Sequence, residues 1–289
     1  MMVNVNRRVA LSEILGRAMV MRKTLVVGIN NYPSTPLTGC INDAEAVENI
    51  LKRHGDGNVN FAFLKKLNIK NKGDLKGIIQ DCFAGDGDVA LFYFSGHGLF
   101  DAFGGYIVTP DYKQNDWGVS MQEILEIVNR SKFRNRVVIL DCCYSGVMGN
   151  ISTTGQSTAV IQEGVTILAA SRYNEFAREE KGHGIFTALL IDALKGGAAD
   201  VTGHVTPGGI YAYVDKSLNE WDQRPAFKTN VTRFSPLRIV KPQIDISIIR
   251  KLVDYWSSPR LNRTPCPSEE VGLEICPDLV LRSFPRSRW

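Results

Sequence analysis

Four short apolar runs constrain this chain most: TLVVGIN (24–30), DVALFYFSG (88–96), NRVVILDCC (135–143) and VTILAAS (165–171). Each is rich in β-branched or aromatic residues and too short for a buried helix, so each reads as a buried strand. Segments with helical spacing separate them. INDAEAVENILKRH (41–54) places Ala44, Val47, Ile50 and Leu51 on one face. GDLKGIIQDCF (73–83) and SMQEILEIVNR (120–130) also read as helices, the latter with Ser120 suited to its N-cap. NVNFAFLKKL (58–67) alternates as a strand does. Strands alternating with helices imply βαβ units, hence an α/β fold whose parallel sheet is covered on both faces.

The second half continues the pattern. FTALLIDALKG (186–196) reads as an apolar helix ended by glycine, GGIYAYVDKSLNEW (208–221) as a last helix and RPAFKTNV (224–231) as an edge strand. After about residue 235 the periodicity changes. DISIIRKLVDYW (245–256) has helical spacing, whereas SSPRLNRTPCPSEE is rich in Pro and Ser and reads as irregular chain. The expected organisation is an N-terminal extension over 1–22, one domain over 23–240 and a C-terminal extension over 241–289. Two long polar loops, 149–164 and 171–184, leave the strand ends where ligands bind in open α/β sheets.

Composition excludes several classes. A net charge of +4 with scattered Lys and Arg gives no basic stripe for nucleic acid. No run of 18 apolar residues is present, so no membrane span is expected. Glu13 and Arg17 interrupt the only signal-like stretch. The six cysteines form no CxxC, and four histidines are too scattered to complete a zinc site, so no metal is expected. Reduced thiols point to a cytoplasmic protein.

Chemistry concentrates at two strand ends, SGHG (95–98) and DCCYSG (141–146). Side chains alternate along a strand, so Asp141 and Cys143 share one side and Cys142 takes the other. Ser95 and His97 likewise share a side. A thiolate beside an imidazole is an activated nucleophile, which makes Cys143 the candidate nucleophile and His97 its base. Taken singly, a buried cysteine is more often a packing residue. Jointly, the two lie 46 residues apart at neighbouring strand ends. Asp43, at the start of the helix after the first strand, and Asp141 put two carboxylates near that nucleophile. Two carboxylates in one buried pocket favour a cation between them, and a substrate Arg or Lys would supply it. Asp43 as a helix cap, and Asp141 as an anchor for loop backbone, remain the plainer alternatives.

The stretches VVGINNY, LTGCINDAEAV, FYFSGHG, ILDCCYSG, LAASR and GHGIFTALLIDAL, in this order, resemble the caspase-fold cysteine peptidases of the metacaspase and prokaryotic orthocaspase group (clan CD, family C14). The likeness spans roughly residues 23–235, and its histidine-to-cysteine spacing fits the caspase pattern of about 50 residues. It implies a caspase-like fold with a mostly parallel six-stranded sheet between helices. It also implies a Cys143–His97 dyad, with backbone N–H groups of Gly98 and Cys143 as oxyanion donors. Cys40, Asp43, Ser95 and Asp141 match positions lining the S1 pocket of metacaspases, implying cleavage after Arg or Lys. The animal-caspase signature around the cysteine is absent, which argues against cleavage after Asp. His183 lies in a second GHG, but the family pattern assigns the catalytic imidazole to the first.

Three further expectations follow. Residues 144–164 contain no Lys or Arg, so self-cleavage by a basic-specific enzyme would fall at Arg172, Arg178 or Lys181. Asp111 and Asp116 remain from the acidic cluster of calcium-dependent relatives, but the pair expected near Gly118 to Ser120 is missing; no cofactor, calcium included, is expected. The resemblance further implies a monomeric effector of prokaryotic defence or regulated cell death, acting on protein substrates under a regulatory or sensor partner. A catalytically silent caspase-like interaction module is the alternative. A nucleotide-binding protein is disfavoured because neither GxGxxG nor GxxxxGK[ST] follows the first strand.

Overall fold

The computed structural model describes residues 21–142, 160–170, 179–180, 183–218 and 224–255. The chain divides into two units, one ending at Asp245 and the other beginning at Ile246. In the first, β1 (Arg22–Gly28) leads to α1 (Cys40–Leu51), β2 (Ala62–Leu67), α2 (Lys72–Phe83) and β3 (Asp86–Ser95). A ribbon of β4 (Gly98–Asp101), β5 (Gly104–Lys113) and β6 (Asp116–Ser120) precedes α3 (Met121–Arg130) and β7 (Lys132–Asp141). Then come β8 (Val165–Ala169), the short pair β9 (Glu179–Glu180) and β10 (His183–Gly184), and α4 (Ile185–Asp192). β11 (His204–Val205), α5 (Pro207–Ser217), β12 (Ala226–Asn230) and β13 (Arg238–Ile239) complete the unit. The second unit contains α6 (Ile246–Tyr255).

The central sheet has six strands in the order β12-β8-β7-β3-β1-β2. All pairs are parallel except β12 with β8, which run antiparallel. The α/β, caspase-like architecture is therefore as expected, and residues 224–231 do supply an edge strand. From β1 the chain passes to β2 on one side and then to β3 and β7 on the other. That reversal creates a switch point between the carboxyl ends of β1 and β3, where open α/β sheets bind ligands.

Strict alternation explains why both faces are covered. Leu25, Val27, Phe92, Phe94, Val138 and Leu140 face α2, α3 and the ribbon, packing on Leu75, Ile79, Ile124, Val128 and Ile107. Val26, Leu91, Tyr93, Val137 and Ile139 face α1, α4 and α5, packing on Ala44, Val47, Leu51, Leu190, Ile210 and Val214. Ser120 caps α3 in a reciprocal box with Glu123, as the sequence predicts. Glu48, on α1, is reached by Lys52 and by Lys65 on β2; the resulting hydrogen bonds outweigh burial and lower its pKa.

Several boundaries differ from the sequence reading. The strand expected from residue 58 begins at Ala62, because Val59 bridges antiparallel to Arg53 and Asn60 N–H donates to the Lys52 carbonyl. The same bridge ends α1 at Leu51, three residues early. β7 stops at Asp141, two residues short of Cys143. The β4–β6 ribbon lies outside the strands that the sequence predicts.

Candidate active site

The register of the sheet sets the site. Gly28 is paired with Ser95, and Ser95 with Asp141, so the last residues of β1, β3 and β7 form one row at the carboxyl edge. Ser95 and Asp141 continue the alternation of Leu91–Tyr93 and Val137–Ile139, and so emerge on the side of α1 and α4. Beyond the strands, Gly96 N–H still reaches the Asp141 carbonyl at 3.4 Å. The chain thus leaves β3 at Gly96 and β7 at Cys142 side by side.

The start of α1 lies directly over this row. A Cβ on Gly28 would sit 2.3 Å from the Cys40 carbonyl oxygen, so only glycine lets the helix approach so closely. Asn30, just after β1, caps the helix: its Oδ1 accepts from the Ile41 N–H at 3.2 Å. The N-cap position, Gly39, has no side-chain cap. Asp43 is therefore not needed as a cap. It lies in the first turn, 1% exposed, and its Oδ2 accepts from Ser95 Oγ at 3.3 Å and from the Gly184 N–H at 3.2 Å.

Gly184 is the N-cap of α4. From the first turn of that helix, Thr187 donates from Oγ1 to Asp141 Oδ2 at 2.6 Å. Asp141 is 5% exposed. Two helix N-termini thus converge on two buried carboxylates, and both helix dipoles favour negative charge there. Tyr93, fully buried beneath them, has a phenol pKa pushed well above its ordinary value, first by burial and then by the nearby negative charge of Asp141 and Asp43. Cys40, 3% exposed, is close enough to act on the same phenol. Cys40, Asp43, Ser95 and Asp141 are accordingly brought together.

His97 is half-buried and approaches the row from the loop after β3. Its Nε2 lies 2.6 Å from the carbonyl oxygen of Thr35. A carbonyl can only accept, so Nε2 carries the proton and Nδ1 is the basic nitrogen. The ring meets Tyr32 edge-on, with centroids 4.5 Å apart. Tyr32 also receives the His97 backbone N–H on its hydroxyl at 3.0 Å and donates that hydroxyl to the Val108 carbonyl at 3.2 Å. Gly98 opens β4, paired in register with Ile107.

Cys142 is fully buried in the core facing α2 and α3, the packing position that alternation predicts. Cys143 is the next residue in the chain but lies outside the described residues, as do Arg172, Arg178 and Lys181. Asp111 and Asp116 sit far along the ribbon. Asp111 accepts from the Lys72 N–H and the Thr109 hydroxyl, and Asp116 pairs with Lys72 at 2.9 Å. Among the described residues, no group of three or more His, Cys, Asp or Glu is placed to hold a metal ion. No helix of the described residues is long and apolar enough to cross a membrane.

Four contributors were not identified from sequence: Tyr32, the Thr35 carbonyl, Gly184 and Thr187. Tyr32 lies within the VVGINNY stretch, and Gly184 and Thr187 within GHGIFTALLIDAL. Those strings carried the signal, but not the roles. A backbone carbonyl such as that of Thr35 leaves no mark in side-chain chemistry.

Residues 21–234 match the sequence profile of the Caspase domain, peptidase family C14. This chain belongs to the caspase-domain family. Among solved structures, the caspase domain resembles a protein of Geobacter sulfurreducens solved as a structural-genomics target. The two are 16% identical with a TM-score of 0.56, over 76% of this chain and all of that one. At that identity the likeness speaks for the fold alone. Caspase-1 of Spodoptera frugiperda aligns at 14% identity with a TM-score of 0.49, over 78% of this chain and 91% of its own. No curated protein matches the chain.

Proposed function

We propose that this caspase-domain protein is a cysteine endopeptidase that cleaves polypeptides after Arg or Lys. The observation that carries the reading is the pair of buried carboxylates, Asp43 and Asp141. They share one sheet edge with an imidazole whose free nitrogen is already defined. A guanidinium or ammonium entering between two carboxylates gains charge-assisted hydrogen bonds, bidentate for arginine. Neutral or acidic side chains would gain nothing there, and an aspartate would be repelled.

In the proposed reaction His97 Nδ1 takes the proton of the Cys143 thiol. The thiolate attacks the carbonyl carbon after the basic residue. Backbone N–H groups of Gly98 and Cys143 receive the developing oxyanion. His97 then protonates the departing amine, leaving a thioester, and water activated by the same imidazole hydrolyses it. The Thr35 carbonyl holds the ring in one tautomer and supports the imidazolium while it carries the extra proton. The dyad thereby acquires a neutral orienting partner. Cys40 and Ser95 line the wall beside the carboxylates. Self-cleavage, where it occurs, falls at Arg172, Arg178 or Lys181, and the biological role is that of a cytoplasmic effector under a sensor partner, as the family resemblance implies.

Fluorogenic peptides that differ only at P1 test this. Arg and Lys peptides are expected to be cut and the Asp peptide spared, with Cys143→Ala and His97→Ala each abolishing turnover. Preference for Asp, or full activity of His97→Ala, overturns the proposal.

A further inference from the structure

We propose that Thr187 is a positioning residue for P1 selection: its hydroxyl, fixed from behind by Tyr93, holds the Asp141 carboxylate in the orientation that receives a basic side chain. The inference rests on the proposed reading of the site as a basic-specific pocket, and adds to it a residue outside the pocket wall.

Tyr93 Oη and Thr187 Oγ1 lie 2.6 Å apart, and either could donate. Thr187 Oγ1 also lies 2.6 Å from Asp141 Oδ2. A carboxylate accepts only, so the single hydroxyl proton of Thr187 goes to Asp141. The Tyr93 proton must then go to Thr187. The chain Tyr93 to Thr187 to Asp141 has one direction, and each donor polarises the next. Tyr93 and Thr187 are both fully buried, so water cannot replace either partner.

The hydroxyl also determines where Asp141 can turn. Gly184 closes against the same carboxylate, and its N–H holds Asp43. Thr187 and Gly184 belong to the first turn and the cap of one helix, α4. One helix end therefore grips both acids, Asp43 through backbone and Asp141 through a side chain. A side chain of the same shape without the hydroxyl would leave Asp141 lacking that donor and Tyr93 lacking its acceptor.

The test compares kcat/KM for matched peptides with Arg or its neutral isostere citrulline at P1, for wild type, Thr187→Val, Thr187→Ala and Thr187→Ser. Wild type comes first: if it does not prefer Arg, the proposed function fails and not this inference. Given that preference, Thr187→Val is expected to lower kcat/KM for Arg about 10- to 100-fold, chiefly through KM, and so collapse the Arg-to-citrulline ratio. Thr187→Ser, which keeps the hydroxyl, restores the ratio to within about threefold. Thr187→Ala reads the same ratio if the valine variant does not fold. A ratio unchanged in Thr187→Val or Thr187→Ala, or equal losses on both peptides, overturns the proposal, because a merely structural role moves both substrates together.

Discussion

Gly184→Ala offers the sharpest probe of the proposed pocket. The residue has φ −63° and ψ 132°, a conformation open to any L-residue, so alanine brings no backbone strain. Its N–H, which holds Asp43, is retained. What changes is one methyl group, whose carbon would sit 2.3 Å from Asp141 Oδ2 and 3.1 Å from Cγ. Non-bonded carbon and oxygen keep roughly 3.3–3.5 Å apart, so the carboxylate must retreat by about 1 Å. A shift of that size also disturbs the 2.6 Å hydrogen bond from Thr187 to the same oxygen.

A misplacement of about 1 Å in a substrate-positioning group costs on the order of 100-fold in rate. We expect Gly184→Ala to lower kcat/KM for a P1-Arg peptide by about that factor, with the citrulline peptide changed by less than about threefold. The assay is a fluorogenic pair at fixed pH, with thermal melting as a control for the N-cap change, since alanine caps helices less well than glycine. A double-mutant cycle isolates the mechanism. In an Asp141→Ala background the methyl group has nothing to strike, so Gly184→Ala should add little, leaving a coupling of about 2–3 kcal/mol. Wild-type activity of Gly184→Ala toward Arg would refute the geometry. Full additivity with Asp141→Ala would refute the stated cause.

Two other outcomes are expected. Tyr32→Phe removes the hydroxyl that joins the His97 N–H to the Val108 carbonyl, so kcat should fall about tenfold with KM little changed; an unaltered kcat would show that the Thr35 carbonyl suffices to fix the ring. Burial pushes the Cys82 thiol up to about 12, so its thiolate is scarce at pH 8, and iodoacetamide should spare Cys82 in the native protein while modifying it after unfolding; peptide mass mapping that finds Cys82 alkylated in the native state at pH 8 contradicts the packing.

The sequence discloses this fold through its strands because a parallel sheet buried on both faces leaves little choice of residue. DVALFYF and RVVIL are almost wholly apolar, and the structure buries every one of their side chains except that of Asp88, which pairs with Arg22 and Arg134. The ribbon over 98–120 escaped notice for the opposite reason. β4 and β5 are half-buried, their turn passes through Gly104 at φ 134°, and the β5–β6 turn uses Asn115 at φ 68°; neither segment has the long apolar run that marked the others. Short-range competition explains the false start at residue 58, where pairing back to Arg53 took the backbone groups that a sheet strand would have used. At the site, residues with distinctive chemistry were legible: His97, Asp43 and Asp141 announce themselves. Tyr32, Gly184 and Thr187 act through contacts with chain 46 to 141 residues away, and no local pattern encodes such partners.

That distribution has a physical consequence for how the fold holds two buried acids side by side. Burying a second carboxylate beside the first is costly unless donors and dipoles offset the repulsion. Here the offset comes from separate parts of the chain. α1 supplies the dipole at Asp43, β3 supplies the Ser95 hydroxyl, and α4 supplies a second dipole, an N–H and the Thr187 hydroxyl. The sheet order sets β7 two strands from β1, and α4 reaches across that gap to hold Asp43 through the Gly184 N–H and Asp141 through the Thr187 hydroxyl. Removing either acid relieves that repulsion but strands the buried donors that face it, and on the proposed reading it weakens capture of a basic side chain. On the proposed reading, two mutually repelling charges are held in place because together they recognise a basic side chain.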